Sequence, residues 1–150
     1  MELLENDARY FDDFIRLNEE WISHYFELEA ADRALAANPQ KVINDGGYIF
    51  CLLDDGKVLG VCALFYSEPA VYELARMAVS PLAQGRGLSH QLMDAALSKL
   101  KCIEARKVYL ISNTKLEPAI ALYKKHGFDT VSIGQHPVYA RADIVMERLV

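Results

Sequence analysis

From Ala8 to Phe26 apolar side chains recur at helical spacing. Phe11, Phe14, Ile15, Trp21, Ile22 and Tyr25, with Leu17 nearby, gather on one face and acidic or polar residues fill the other, the signature of an amphipathic helix. A second helical stretch runs from about Glu29 and breaks at Asn38-Pro39, with Lys41 to Asn44 adding a turn before Asp45-Gly46-Gly47. The pattern then changes. Tyr48 to Leu53 and Lys57 to Tyr66 flank Asp54-Asp55-Gly56 and read as a β-hairpin. Val58 to Phe65 is apolar on both faces, so this strand is expected to be central and covered by helices. With Asp55-Gly56 as the turn, Asp54 pairs with Lys57, Cys51 faces Gly60 and Cys62 faces Ile49. After Glu68-Pro69-Ala70 a third strand spans Val71 to Val79.

Beyond Ser80-Pro81 the period becomes helical from Gly87 to Ile103, with Leu88, Leu92, Ala95, Ala96 and Leu100 on one face. Lys107 to Ser112 reads as a strand. Leu116 to His126 reads as a helix with Ala119, Leu122, Tyr123 and His126 on one side, stopped by Gly127. Asp129–Ile133 and Ile144–Leu149 are the last strands, and only Met1 to Leu4 offers an N-terminal one. This order predicts a single layered α/β (mixed α+β) domain over residues 1–150 with a mixed sheet.

Composition narrows the function classes. A chain of 150 residues with 52% hydrophobic and 10% aromatic residues can bury a core, which excludes disorder. Only 8 Gly and 5 Pro exclude collagen-like or linker sequence. The net charge of −5, without a basic run, gives no expectation of nucleic-acid binding, while leaving a small anionic ligand open. No basic, apolar leader and no apolar run of the roughly 18 residues a membrane span needs are visible, so a cytoplasmic protein with no membrane partner is expected. Cys51, Cys62 and Cys102 are odd in number and lack CxxC spacing, so neither a disulfide framework nor a zinc site is expected. In the hairpin register above, Cys51 and Cys62 are diagonal neighbours, and the expectation is three buried thiols. His24, His90, His126 and His136 show no metal-ligand spacing. Ser89 and Ser112 lack a nucleophile-elbow context.

Three places carry candidate chemistry. Gln84-Gly85-Arg86-Gly87-Leu88-Ser89 links a strand to a helix. A glycine-rich helix start leaves N–H groups free and suits a phosphate or pyrophosphate, although the same glycines serve a plain turn. Neither a Walker loop nor GxGxxG is present. Glu73, in a regular strand, shares a face with Val71, Ala75, Met77 and Val79. A carboxylate on an apolar face either meets a cleft, where desolvation makes it a candidate base, or serves no chemistry, lying at the surface at a strand end or pairing structurally with Arg76 across a bulge. Asn113, at a strand end, either caps the next helix or meets a ligand. Tyr123, on that helix, either packs or serves as a general acid.

These residues resemble the GNAT family of N-acetyltransferases. Gln84 to Ser89 is similar to the family's Q/R-x-x-G-x-G/A motif, with Ser89 departing from the usual Gly or Ala. Asn113 followed by Ala119-Ile120-Ala121-Leu122-Tyr123-Lys124-Lys125-His126-Gly127-Phe128 resembles the second signature, a strand-end Asn and then A-x-x-L-Y-x-x-x-G-F. Glu73-Leu74-Ala75-Arg76-Met77-Ala78-Val79 is similar to an E-L-x-R-M-x-V strand of many members. The order of elements fits over nearly the whole chain.

The resemblance implies the acyl-CoA N-acyltransferase fold, a three-layer domain around a mixed, mostly antiparallel sheet. It implies acetyl-CoA as cosubstrate, bound in a V-shaped opening between the strands ending near Val79 and Asn113, and no metal. Met77, Ala78 and Val79 would pair with the pantetheine arm, and Gln84, Gly85, Arg86, Gly87, Leu88 and Ser89 would hold the pyrophosphate. Asn113 would contact the pantetheine arm. Glu73 is the candidate base and Tyr123 the candidate acid for direct acetyl transfer to an amine of a small molecule, amino acid or peptide. A CoA-thioester sensor without turnover and a protein acetyltransferase are the alternatives. Trp21, Tyr25, Tyr139 and Arg141 are candidate acceptor-lining residues; Arg141 either holds the carboxylate of an amino acid or peptide end or, as the favoured reading, is exposed and pairs with Asp143, and the last strands offer an edge for a homodimer.

Overall fold

The hairpin at the centre of the chain sets the architecture. Tyr48–Asp54 (β2) and Lys57–Glu68 (β3) pair antiparallel around Asp55-Gly56, both of which take left-handed backbone conformations as a tight hairpin turn demands. In this computed structural model, which describes all 150 residues, the sheet grows outward from that pair. Glu2–Glu5 (β1) adds to β2, and Val71–Val79 (β4) adds to β3. Lys107–Ser112 (β5) runs parallel to β4, followed by Ile144–Leu149 (β7) and Asp129–Ile133 (β6) in the spatial order β1-β2-β3-β4-β5-β7-β6. All neighbours except β4 and β5 are antiparallel, so the sheet is mixed and mostly antiparallel as expected.

Helices cover both faces. Phe11–Tyr25 (α1) buries Phe11, Phe14, Leu17 and Ile22, and Phe14 and Leu17 pack with Ile49, Cys51, Val61 and Ala63 of the sheet. Ala30–Ala37 (α2) and Gln40–Asn44 (α3) lie on the same side of the chain order, and α3 contributes Val42 to that cluster. Leu88–Cys102 (α4) buries Leu88, Leu92, Met93, Ala96 and Leu100 against Phe50, Cys62, Leu64, Leu110 and Met146 on the other face. Glu117–Lys125 (α5) adds partly buried Ile120, Leu122 and Tyr123 to the α4 side. No helix is long and apolar enough to cross a membrane.

Two bulges correct the regular-strand expectations. Asp54 does pair with Lys57, but the register shifts next to Leu52 and Leu53, so Cys51 opposes Val61 and Cys62 opposes Phe50. The extra residue reverses side-chain parity. Cys51 therefore joins the α1-side cluster and Cys62 the α4-side cluster, and the two thiols lie on opposite faces of the sheet rather than diagonally on one. Cys102 is exposed, not buried. The second bulge lies in β4. Val61 opposes Ala78 and Ala63 opposes Ala75, so two β4 residues, Arg76 and Met77, face one of β3. Arg76 takes φ +59°. Glu73 and Ala75 point to the α1 side with their partners Phe65 and Ala63, whereas Met77 and Val79 pack on the α4 side. Glu73 thus shares a face with Ala75 but not with Met77 or Val79.

Candidate active site

The parallel pair β4–β5 holds together only at its start, where Val71, Tyr72 and Glu73 match Lys107, Val108 and Tyr109. Beyond Glu73 each strand keeps its outer neighbour and loses the other. The bulge at Arg76 bends and twists β4 further. The strands therefore diverge toward their C-terminal ends, the position at which open parallel sheets take ligands. A cleft of about 110 Å³ fills this gap. Its floor and walls include Glu73, Met77, Ser112, Asn113 and Tyr123, and the C-terminal half of α1 closes it with Trp21, Ile22 and Phe26. Tyr139 and Arg141 line it from the β6–β7 loop, whereas Tyr25 does not line it.

Two titratable groups in the cleft are both raised by burial. Burial raises the Glu73 carboxyl to about 7, and the nearby Arg76 guanidinium offsets only part of that rise. No hydrogen bond holds the carboxylate, which makes it free to take a proton near neutrality. Burial raises the Tyr123 phenol to about 12, with a further contribution from Cys62. Its hydroxyl has no partner in the protein, and it stays protonated at neutral pH, as a proton donor must.

Asn113 performs the local task considered for it. Its Oδ1 accepts from the Lys115 N–H at 2.9 Å and its Nδ2 donates to the Arg141 carbonyl at 2.7 Å, which fixes the turn into α5 and ties it to the β6–β7 loop. It lines the cleft as well.

At the open end, β4 passes through the short turn Pro81–Ala83 into the loop before α4. Gly85 at φ +81° and Gly87 at φ +75° both adopt the left-handed conformation, and a Cβ on either would meet only open space. The glycines are therefore needed for the backbone turn, and the space over them is clear. The N–H groups of Gln84 to His90 reach no backbone carbonyl. Together with the α4 dipole they form a concave donor array suited to a polyanion. Leu88 anchors the helix start in the core, Ser89 is half-buried, and Arg86 lies at the surface 3.3 Å from Asp54.

The sequence reading missed a buried ionic cluster beside the cleft. Asp32 of α2 is 3% exposed and accepts from both nitrogens of the Arg141 fork, at 2.6 and 2.8 Å, and from Arg76. Arg76 also donates to the Tyr139 hydroxyl at 2.8 Å, and Arg141 to Glu29 at 3.1 Å. Burial opposes the charged form of Asp32, but the hydrogen bonds from Arg141, the Glu29 backbone and Arg76 outweigh it and lower the carboxyl to about 2. Arg141 therefore pairs with Asp32 and Glu29 and not with Asp143, which binds Thr114. The partners of Asp32 lie 44 and 109 residues away in sequence, so no local pattern announces them. His90 and His126, unremarkable in sequence, meet at 2.9 Å where the start of α4 approaches the end of α5. No group of three or more His, Cys, Asp or Glu side chains is arranged to hold a metal ion.

A splayed β4–β5 pair, a bulge at the bend and a free N–H array before α4 define a mixed-sheet fold with an open cleft between two strands. The family model of the GNAT acetyltransferases matches residues 10–128, and the chain belongs to that family. It is 31% identical over 124 residues to a mycothiol acetyltransferase of Pseudarthrobacter chlorophenolicus, covering 78% of this chain and 38% of that one. The chain thus spans about two fifths of that relative's length. Among solved structures, a GNAT acetyltransferase from Staphylococcus aureus superposes with TM-score 0.87 at 17% identity, covering 99% of this chain and 98% of the other. A phosphinothricin acetyltransferase from Sinorhizobium meliloti, solved with AcCoA, superposes with TM-score 0.81 at 17% identity over 99% and 88% of the two chains. These likenesses establish the mixed-sheet fold.

Proposed function

We propose that this protein transfers an acetyl group from acetyl-CoA directly to a primary amine. The observation that carries the reading is the meeting, in one cleft between splayed strands, of an unpartnered Glu73 and an unpartnered Tyr123, below a run of free N–H groups. A pure CoA-thioester sensor needs the donor array but neither of the two titratable groups.

The free N–H groups of Gln84 to Ser89 hold the pyrophosphate, with Arg86 adding charge. The unpaired edge of Met77, Ala78 and Val79 pairs with the pantetheine arm, and Asn113 flanks it from β5. An ammonium has no lone pair, so the acceptor first gives a proton to Glu73, directly or through water. The amine nitrogen then attacks the thioester carbonyl carbon, and backbone N–H groups near Ala78 and Val79 stabilise the charge on the carbonyl oxygen. The tetrahedral nitrogen gives up its second proton, the C–S bond breaks, and the CoA thiolate takes its proton from Tyr123, whose phenolate regains the nitrogen's proton through solvent while Glu73 returns its own to water. The products are an amide and CoA. Acetyl-CoA supply and free thiols both fit a cytoplasmic location.

Calorimetric titration with acetyl-CoA, CoA and ATP tests the reading. Saturable binding of acetyl-CoA and CoA, far tighter than ATP, is expected, followed by amine-dependent CoA release. Absence of binding would overturn it.

A further inference from the structure

The wall of the cleft beside α1 and the β6–β7 loop carries paired charges. Its lining includes two guanidinium groups, Arg76 and Arg141, and one carboxyl, Glu73. Asp32 and Glu29, which neutralise the arginines, are not among the lining residues. They stand behind the guanidinium groups. Each guanidinium has five N–H donors. Arg76 uses two of them, on Asp32 and Tyr139, and Arg141 uses three, on Glu29 and Asp32, so both keep donors in reserve. Both also lie over the Tyr139 ring, at 5.5 and 4.8 Å, which fixes their planes. Arg76 is close enough to Glu73 to act on its charge. A base and a cation side by side match a ligand whose ammonium and carboxylate sit on one carbon. Trp21, Ile22, Phe26 and Leu116 form an apolar stretch of the lining beside the polar Asn18, Ser112 and Asn113, and a single carboxyl gives polycations no second anchor.

From this arrangement we infer that the acceptor is a free α-amino acid with an apolar side chain, its carboxylate held by Arg76 and Arg141 and its amine presented to Glu73. This deepens the acetyltransferase reading and rests on it for the chemistry, but the recognition is measurable without turnover. Trp21 is the only tryptophan of the chain and lines the cleft, so its emission reports occupancy directly. L-leucine, L-methionine and L-phenylalanine are titrated against the wild-type protein beside their amides and the matching decarboxylated amines, with and without saturating CoA. The acids are expected to give a saturable change with Kd at least about tenfold below either counterpart, the effect of a charge-assisted hydrogen bond. Arg141→Met should abolish that preference, and Arg141→Lys, which keeps the charge and loses the fork, should restore part of it. Amides or amines that bind as tightly as the acids would overturn the inference, and so would the absence of a saturable response in every series. If CoA binds and the acids are not preferred, this inference falls alone. If CoA does not bind, the acetyltransferase reading falls, and the Trp21 titration still decides the carboxylate preference.

Discussion

The raised Glu73 carboxyl gives the mechanism a numerical signature. With a value of about 7 in the folded protein, about one tenth of the side chain is ionised at pH 6 and about nine tenths at pH 8. A step that needs the carboxylate should therefore quicken about tenfold across that interval. A carboxyl at its ordinary 4.5 would be ionised throughout and contribute nothing to the slope. The assay is kcat/KM for acetyl transfer at saturating acetyl-CoA, from pH 5.5 to 9, for wild type and Glu73→Gln. The acceptor's own ammonium adds a limb to both proteins, so the quotient of the two profiles isolates Glu73. That quotient should rise about tenfold from pH 6 to 8 and level off at a factor of roughly 10²–10⁴, the usual worth of a positioned general base. The fold responds in the opposite direction. A carboxyl raised on folding contributes its full stability below its unfolded value near 4.5 and loses it as pH rises through about 7. Wild type should thus lose Tm relative to Glu73→Gln between pH 5 and 8. A flat quotient would remove Glu73 as the base. A Tm difference independent of pH would show that its carboxyl is not raised.

The other groups give separable outcomes. Tyr123→Phe deletes a hydroxyl that no protein group holds, so unfolding free energy should stay within about 0.5 kcal/mol of wild type while kcat falls more than acetyl-CoA affinity; a stability loss with kcat unchanged would make Tyr123 a packing residue only. Gly87→Ala places a side chain at φ +75° without any clash, so urea unfolding should show a loss of about 1–2 kcal/mol, and CoA affinity by calorimetry should fall with it; unchanged affinity would refute the phosphate-loop assignment. Asp32→Ala leaves the buried Arg76 side chain, 7% exposed, without its counter-ion and should cost about 3–5 kcal/mol. Because the Asp32 carboxyl is lowered to about 2, its contribution is present above its ordinary value near 3.8 and is lost only as pH falls through about 2, which acid denaturation of wild type against Asp32→Asn measures.

Most of the architecture was legible because it is written in periodicity. The helices near 11–25, 88–102 and 117–125 and the strands from Tyr48 to Ser112 follow directly from the spacing of apolar residues, since burial of one face fixes the element. Periodicity placed neither bulge, although one between Glu73 and Arg76 was open as a structural alternative. One had a usable signal, an isolated Gly60 inside a strand pattern; a Cβ on Gly60 would meet Leu92 of α4 at 3.0 Å. The other centres on Arg76, a residue type that gives no hint of a left-handed turn. The candidate site divides in the same way. Glu73 and Tyr123 are separated by 50 positions, and only the two family-like signatures associated them. The Asp32 cluster depends on contacts between distant segments and on burial, which a one-dimensional pattern does not encode.

Arg76 links these features. A non-glycine residue at φ +59° is strained by roughly 1–2 kcal/mol and persists where its surroundings over-determine it. Here Asp32 and the Tyr139 hydroxyl hold the guanidinium, and the Tyr139 ring lies beneath it. The bulge so fixed changes the parity of β4. Upstream of it Glu73 turns to the α1 side, where the acceptor wall stands, and downstream of it Met77 and Val79 turn to the α4 side. The same Asp32 is the only buried residue of α2, so that helix is held by an ionic grip together with the partly buried Leu35. One carboxylate therefore fixes the bend of the strand at the cleft and the helix beside it. The coupling gives this side of the cleft a rigidity that its short, half-exposed α2 would not have alone, and under the proposed direct transfer, rigid placement of amine against thioester would lower the barrier by sparing translational and rotational entropy.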